Sequence, residues 1–159
     1  RPNARIRFSK NMLVAPFQDG KGLMFRLVNM RRSELIEVEI QVVISLIDPN
    51  MKKKTFKRLD LELEKINFLA LSWTVNHPIT EESPLHGISK TELLARDTEF
   101  IILLKAYDDV FSQTVYSRHS YKAHEVVWDA KFISIIHPTE DDMIKLQVDH
   151  VDDYELVQK

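Results

Sequence analysis

The sequence predicts an all-β chain, an immunoglobulin-like β-sandwich with one short helix, and three observations carry that prediction. Apolar residues recur at Ile36, Val38, Ile40, Val42, Ile44 and Leu46, with Glu37, Glu39, Gln41 and Ser45 between them; only Val43 breaks the repeat. A two-residue period puts one face of a strand on a core and the other toward water or a partner. Turn chemistry separates the apolar runs, with Gln18-Asp19-Gly20 and Asp48-Pro49-Asn50 each suited to a hairpin. One helix start stands out: Ser89 and Glu92 have capping-box spacing ahead of Leu93-Leu94-Ala95-Arg96. Many strands, frequent turns and one short helix fit two antiparallel sheets packed face to face.

In chain order, strands are expected at residues 12–17, 23–28, 36–46, 59–63, 68–75, 100–107, 113–121, 132–136 and 144–148. Neither an internal repeat nor a linker interrupts them, so residues 1–159 read as a single domain. A C-terminal tail is expected from 138 to 159, after His137-Pro138-Thr139-Glu140-Asp141-Asp142.

Composition narrows the function classes. With 159 residues and 44% hydrophobic content, the chain is long enough to bury a core. Only 3 Gly and 6 Pro argue against a low-complexity chain, and the lack of cysteine excludes disulfides and thiolate metal sites. A formal charge of -2 gives no global pull toward nucleic acid, so anion binding has to come from local patches. The longest apolar runs, such as Phe100-Ile101-Ile102-Leu103-Leu104, fall well short of the ~20 residues of a spanning helix, and no signal peptide is visible. The start at Arg1 reads as a cut fragment or a processed product.

Catalytic motifs are missing. Gly20, Gly22 and Gly87 cannot build a phosphate-cradling loop, and no G-x-S-x-G elbow occurs. His119 and His124 lie five apart, which on a strand sets the imidazoles on opposite faces, and H-E-x-x-H stops at Trp128; no metal site is assigned. His77, before a proline at a strand end, reads as a hydrogen-bonded structural histidine. The chain is not expected to be an enzyme.

Three basic groups remain. Lys52-Lys53-Lys54 with Lys57 and Arg58 flank a turn and read as a solvated hairpin tip; only Phe56 is there to stack a base, so nucleic acid is not expected. Arg31-Arg32 lies between Asn29 and the long alternating strand, and Arg118 sits mid-strand in a polar stretch, with Arg1 and Arg5 at the start. By residue type alone, each is a surface or salt-bridged arginine. The Glu37/Glu39 face, likewise, is by itself an ordinary solvated sheet face.

Two longer signatures change that reading. Val75-Asn76-His77-Pro78-Ile79-Thr80-Glu81-Glu82-Ser83-Pro84-Leu85 is followed by Arg118-His119-Ser120-Tyr121, Glu125-Val126-Val127-Trp128 and Phe132. With Arg1-Pro2, Leu23-Met24-Phe25-Arg26-Leu27, Asn29 and Arg31-Arg32-Ser33, this order resembles the cytoplasmic C-terminal domain of inward-rectifier potassium channels. The resemblance runs from Arg1 to about Tyr154, and compact hairpins make the chain look like a prokaryotic member.

The resemblance implies a cytoplasmic homotetramer beneath its own transmembrane pore domain. Residues 1–10 would lead from the inner transmembrane helix. Arg1, Arg5, Arg31, Arg32 and Arg118 would face anionic lipid headgroups, whose phosphates suit guanidinium forks. Glu37 would be the pore-facing acid that attracts magnesium and polyamines, through a ring of four carboxylates that focuses negative potential. Lys105 stands where strongly rectifying members carry a second acid, which weakens a polyamine trap. Asp108 and Asp109 would restore negative charge near a narrow loop spanning roughly 107–113. No cofactor is implied beyond permeant potassium and magnesium or polyamine blockers. The alternative from another class is a free-standing immunoglobulin-like module that binds a protein or ligand.

Overall fold

A computed structural model describes residues 4–135 and 143–158. One sheet contains β1 (Ile6–Phe8), β2 (Met12–Phe17), β3 (Gly20–Asn29), β7 (Ser72–Ile79) and β10 (Val126–Trp128). The other contains β4 (Leu35–Asp48), β5 (Lys53–Leu59), β6 (Lys65–Leu69), β8 (Glu99–Asp108) and β9 (Gln113–Lys122). A small antiparallel pair, β11 (Ala130–Phe132) and β12 (Tyr154–Leu156), follows. Helix α1 spans Lys90–Ala95, and α2 spans Met143–His150.

The core fills the space between the two larger sheets. Val14, Leu23, Phe25 and Leu27 meet Val38, Ile40, Val42, Ile44, Phe100, Ile102 and Leu104 in one cluster. Fully burying an aliphatic or aromatic side chain contributes about 1.5–3 kcal/mol, so these alternating positions hold the sandwich together. Tyr121 lies wholly inside and donates its hydroxyl to the Ser9 carbonyl at 2.7 Å. Burial, the largest influence, pushes its phenol well above the usual range.

Both hairpins form where the turn residues place them. Phe17 pairs with Gly20 across Gln18-Asp19, with Gln18 at φ 52. Asp48 pairs with Lys53, and its Oδ1 accepts from the Asn50 and Met51 amides at 2.8 and 3.0 Å. Those backbone bonds, Met51's first, hold the Asp48 carboxyl below its ordinary range. At α1, Ser89 Oγ accepts from the Glu92 amide at 3.1 Å. This is the Ser89 half of the expected capping box; the Glu92 carboxylate accepts instead from Arg96 Nη1 at 3.4 Å.

Several expected elements differ. The strand expected at 59–63 is displaced to Lys53–Leu59, and 68–75 divides into β6 and β7 around Ala70-Leu71. The strand expected at 132–136 begins earlier, at Ala130, and residue 136 lies outside the described residues. Residues 144–148 belong to helix α2 rather than a strand, so the chain has a second short helix. The alternation in β4 also breaks at its start. Leu35, not Ile36, is buried with Val38, and Glu37 takes φ 49. Ile36 pairs with Tyr107 and Glu39 with Lys105, so three steps on β4 face two on β8. That extra residue is a β-bulge, which resets the faces.

The described part of the C-terminal segment packs against the sandwich. Leu13, Ala15, Val28, Ala130 and Val151 are buried outside the main cluster. The buried Arg26 guanidinium, on β3, bonds carbonyls at Ile133, His150, Val151 and Asp153. Residues 130–135 and 143–157 therefore add a third layer against the outer face of the β3-containing sheet.

Candidate functional site

One end of the sandwich gathers three of the cationic candidates. Asn29 is buried and builds their loop: its Nδ2 donates to the Ser33 and Leu69 carbonyls at 3.1 and 3.0 Å, and its Oδ1 accepts from the Arg31 amide at 2.9 Å. Arg5 is drawn alongside, because the Met30 amide donates to its carbonyl at 3.1 Å. Arg5 and Arg32 are exposed, while Arg31 is half-buried. Arg1 lies outside the described residues.

Asp108 is placed differently from the expectation of a lumen-facing acid. It is completely buried, forms an ion pair with Arg31, and accepts from the Val110 and Phe111 amides at 3.0 and 3.3 Å. A carboxylate held inside by a cation and two amides is not available to a cation in solution; its placement joins the Arg31 loop to the loop between β8 and β9. That loop, residues 109–112, presents exposed Asp109 together with Val110 and Phe111, which are 66% and 67% exposed.

Glu37 is exposed at the bulge. Lys105 is exposed too, and the register sets it between Glu39 on β4 and Tyr116 on β9. Arg118 pairs in register with Leu103. Leu103 and Asp108 are five positions apart on β8, roughly 17 Å at strand spacing. The fold therefore does not bring Arg118 beside Arg31; it brings Arg118 beside Lys105. The Lys52-Lys53-Lys54 group lies at the opposite end of the 14-residue β4 from Arg31.

His77 and His119 are structural in placement. His77 shares a hydrogen bond between Nδ1 and the Asp60 carbonyl and another between Nε2 and Ser83 Oγ at 2.7 Å. Burial pushes its pKa down, and the Asp60 bond opposes that. His119 stacks on Phe8 with ring centroids 4.6 Å apart and meets Tyr121 edge-on at 4.7 Å. Its pKa is also lowered, chiefly by burial. Among the described residues, no cluster of His and carboxylate side chains is arranged to hold a metal, and no helix is long and apolar enough to cross a membrane.

Sequence reasoning missed Asn29 as the organiser of the arginine loop and Asp108 as its buried anchor. A buried amide or carboxylate has no mark in the sequence beyond sitting at a strand end.

A bacterial relative, the inward rectifier potassium channel Kirbac3.1 of Paramagnetospirillum magnetotacticum, is 32% identical over 138 residues, covering 85% of this chain and 47% of that protein. The ATP-sensitive inward rectifier potassium channel 12 of Gallus gallus is 32% identical over 150 residues, covering 86% of this chain and 34% of that one. The corresponding Mus musculus protein is 31% identical over 164 residues, covering 94% of this chain and 37% of its own. The chain thus spans between a third and a half of these relatives. The sequence model of the family described as "Inward rectifier potassium channel C-terminal domain" matches residues 6–159, and the chain belongs to that family.

Proposed function

We propose that this chain is the cytoplasmic pore and regulatory domain of a tetrameric inward-rectifier potassium channel. In that role it extends the ion path, concentrates cations and couples an anionic-lipid signal to the gate. The observation that supports the reading best is the shared end of the sandwich. Arg5, Arg31 and Arg32 stand there beside the 109–112 loop, and the Arg31–Asp108 pair ties the two. With that end against the membrane, exposed Arg5 and Arg32 meet phosphate oxygens through charge-assisted bonds. Arg31, already committed to Asp108, passes the displacement to the loop.

In the assembled ring, Glu37 from each subunit faces the path, and Asp109 adds charge at the loop. Four like carboxylates around an axis favour multivalent cations, since attraction scales with cation charge. Lys105 opposes them and weakens retention of magnesium or a polyamine.

Flux through the full-length protein in liposomes tests the lipid arm. Adding a phosphoinositide should change potassium flux, and Arg32→Ala should blunt the change. High salt should blunt it as well, because exposed charges are screened. A wild-type channel indifferent to the lipid, or an Arg32→Ala channel with an unaltered response, would refute the membrane-facing assignment.

A further inference from the structure

The end of the sandwich away from Arg31 holds an apolar cavity of about 510 Å³. Strand register builds its floor. Trp128 on β10 and Leu23 on β3 flank Val14 on β2, so one sheet contributes three neighbouring apolar side chains. Phe100 enters from β8 of the other sheet, and Leu93 from α1. The chain between β7 and α1 folds back in successive turns, with the Ser83, His86 and Ile88 amides donating to the Thr80, Ser83 and Leu85 carbonyls at 3.1, 3.0 and 3.1 Å. That path buries Leu85. Gly87, at φ 74, leaves its own stretch of the wall open, since a Cβ there would meet nothing within 4 Å.

Lys21 on β3 and Phe100 on β8 are each eight positions from Asn29 and Asp108, roughly 27 Å at strand spacing. The cavity is therefore remote from the arginine loop. Two cations and one acid line it: Lys21, Lys90 and Asp129. Lys21 lies 3.5 Å from Asp129. Lys90 is exposed and, among the described residues, has no hydrogen bond or ion pair. The Trp128 indole N–H, shut off from solvent, has no acceptor among the described residues either. Small-molecule sites are typically clefts of about 300–1,000 Å³ with mostly apolar walls and a few polar groups that fix orientation. This cavity has that size and make-up, with one positive charge in surplus.

We infer that the cavity binds an aliphatic monocarboxylate, its chain against Val14, Leu23, Leu93 and Phe100 and its carboxylate at Lys90. Removing the chain from water supplies most of the affinity, since apolar burial scales with area. Lys90 supplies orientation through a charge-assisted bond. One surplus charge matches a monoanion; a neutral alcohol of the same length leaves Lys90 unmet, and a dianion exceeds the surplus. The ligand joins the two sheets and α1 at the end opposite Arg5, Arg31 and Arg32.

Amide spectra of the labelled chain test this during titration with hexanoate, octanoate and decanoate below their micelle concentrations, and with octanol, at constant ionic strength. Saturable shifts confined to the segments around Lys21–Leu23, Leu85–Leu93 and Trp128–Asp129 are expected. Each added methylene should tighten binding about two- to fourfold, the scale of one buried methylene. Octanoate should bind more tightly than octanol. Lys90→Gln should weaken octanoate about two- to fivefold, the scale of an exposed ion pair, and leave octanol unchanged. Ile88→Phe, which adds bulk to a partly buried lining residue, should weaken both. Lys10→Gln removes an exposed charge outside the cavity and should change neither. Absence of saturable binding, shifts centred elsewhere, or affinity independent of chain length overturns the inference. So does octanol binding as tightly as octanoate, or equal loss in Lys90→Gln and Lys10→Gln. The cavity belongs to the folded chain whether or not that chain lines an ion path, so none of these outcomes bears on the channel reading.

Discussion

Replacing Arg26 with methionine should detach the C-terminal layer while leaving the sandwich folded. Arg26 is 4% exposed. Its Nε donates to the Val151 carbonyl at 3.1 Å, Nη1 to Ile133 at 2.6 Å, and Nη2 to His150 and Asp153 at 2.7 and 3.1 Å. The guanidinium also lies 4.5 Å from the centroid of the Phe132 ring. Burial lowers its pKa, opposed by Asp153 and Asp152 nearby, and an arginine stays charged despite such a shift. Each bond to a charged donor is worth about 1.5–3 kcal/mol, but the bonds are not additive and burial of the charge costs part of the gain. Removing one partner of a buried charged network typically costs about 3–5 kcal/mol, the figure adopted for Arg26→Met. All four carbonyls belong to residues 133–153, so the loss falls on the third layer. Hydrogen exchange followed by mass spectrometry is the assay. Amides of 143–157 should exchange roughly 10²–10³-fold faster, a tenfold change for each 1.4 kcal/mol, while those of β3 and β8 stay protected. Unchanged protection of 143–157 would refute the idea that Arg26 fastens this layer.

Three further outcomes follow from named residues. Glu37→Gly should raise stability by about 1 kcal/mol, because glycine takes the left-handed backbone of the bulge without the Cβ penalty; Glu39→Gly, in regular strand, should lower it, and urea unfolding of both checks the sign. Asn76→Val should stabilise by about 1–3 kcal/mol, since the buried Asn76 amide has no hydrogen-bond partner among the described residues, and a lower thermal midpoint would contradict that. His77 has a folded pKa below its unfolded value, so the unfolded chain takes up the proton first; stability is complete above about pH 6.5 and declines as pH falls through the window beneath it. Urea unfolding at about pH 7 and pH 5.5 should show a smaller loss in His77→Gln than in the wild type, and an equal loss would remove His77 from the acid response.

The parts of the fold that were legible are those in which local chemistry and packing agree. The Gln18-Asp19-Gly20 and Asp48-Pro49-Asn50 turns and the Ser89 cap combine a turn or capping residue with an adjacent periodic run, and each forms as read. Strand β5 was obscured because Lys53, Lys54, Lys57 and Arg58 make it look like a solvated loop; it lies at the sheet edge, where lysines discourage further pairing. Ile144, Leu146 and Val148 alternate like a strand, yet Ile144, Gln147, Val148 and Val151 also fall at helical spacing, and a short run cannot separate the two periods. The bulge at Glu37 left only a faint trace, Leu35-Ile36 before an acid, because a period of two cannot announce an inserted residue.

The candidate site was legible as a set of charges and not as a geometry. Arg5, Arg31 and Arg32 gather at one end, but the burial of Asp108 depends on a partner 77 residues away in sequence. Arg118 and Lys105 were assigned to different roles because sequence distance hides a strand pair. Arg26 was a charge inside the apolar run of β3, a signal that a buried cation was worth seeking.

Block of current in planar bilayers by internal magnesium or spermine tests whether Glu37 faces the ion path, measured on the full-length channel and its Glu37→Gln variant. Four carboxylates facing the path predict that Glu37→Gln weakens block and leaves potassium selectivity intact, with Lys105→Glu strengthening block in the same assay. Block unchanged in Glu37→Gln would return Glu37 to an ordinary solvated sheet face and contradict the account of this domain as a cation-concentrating extension of the pore.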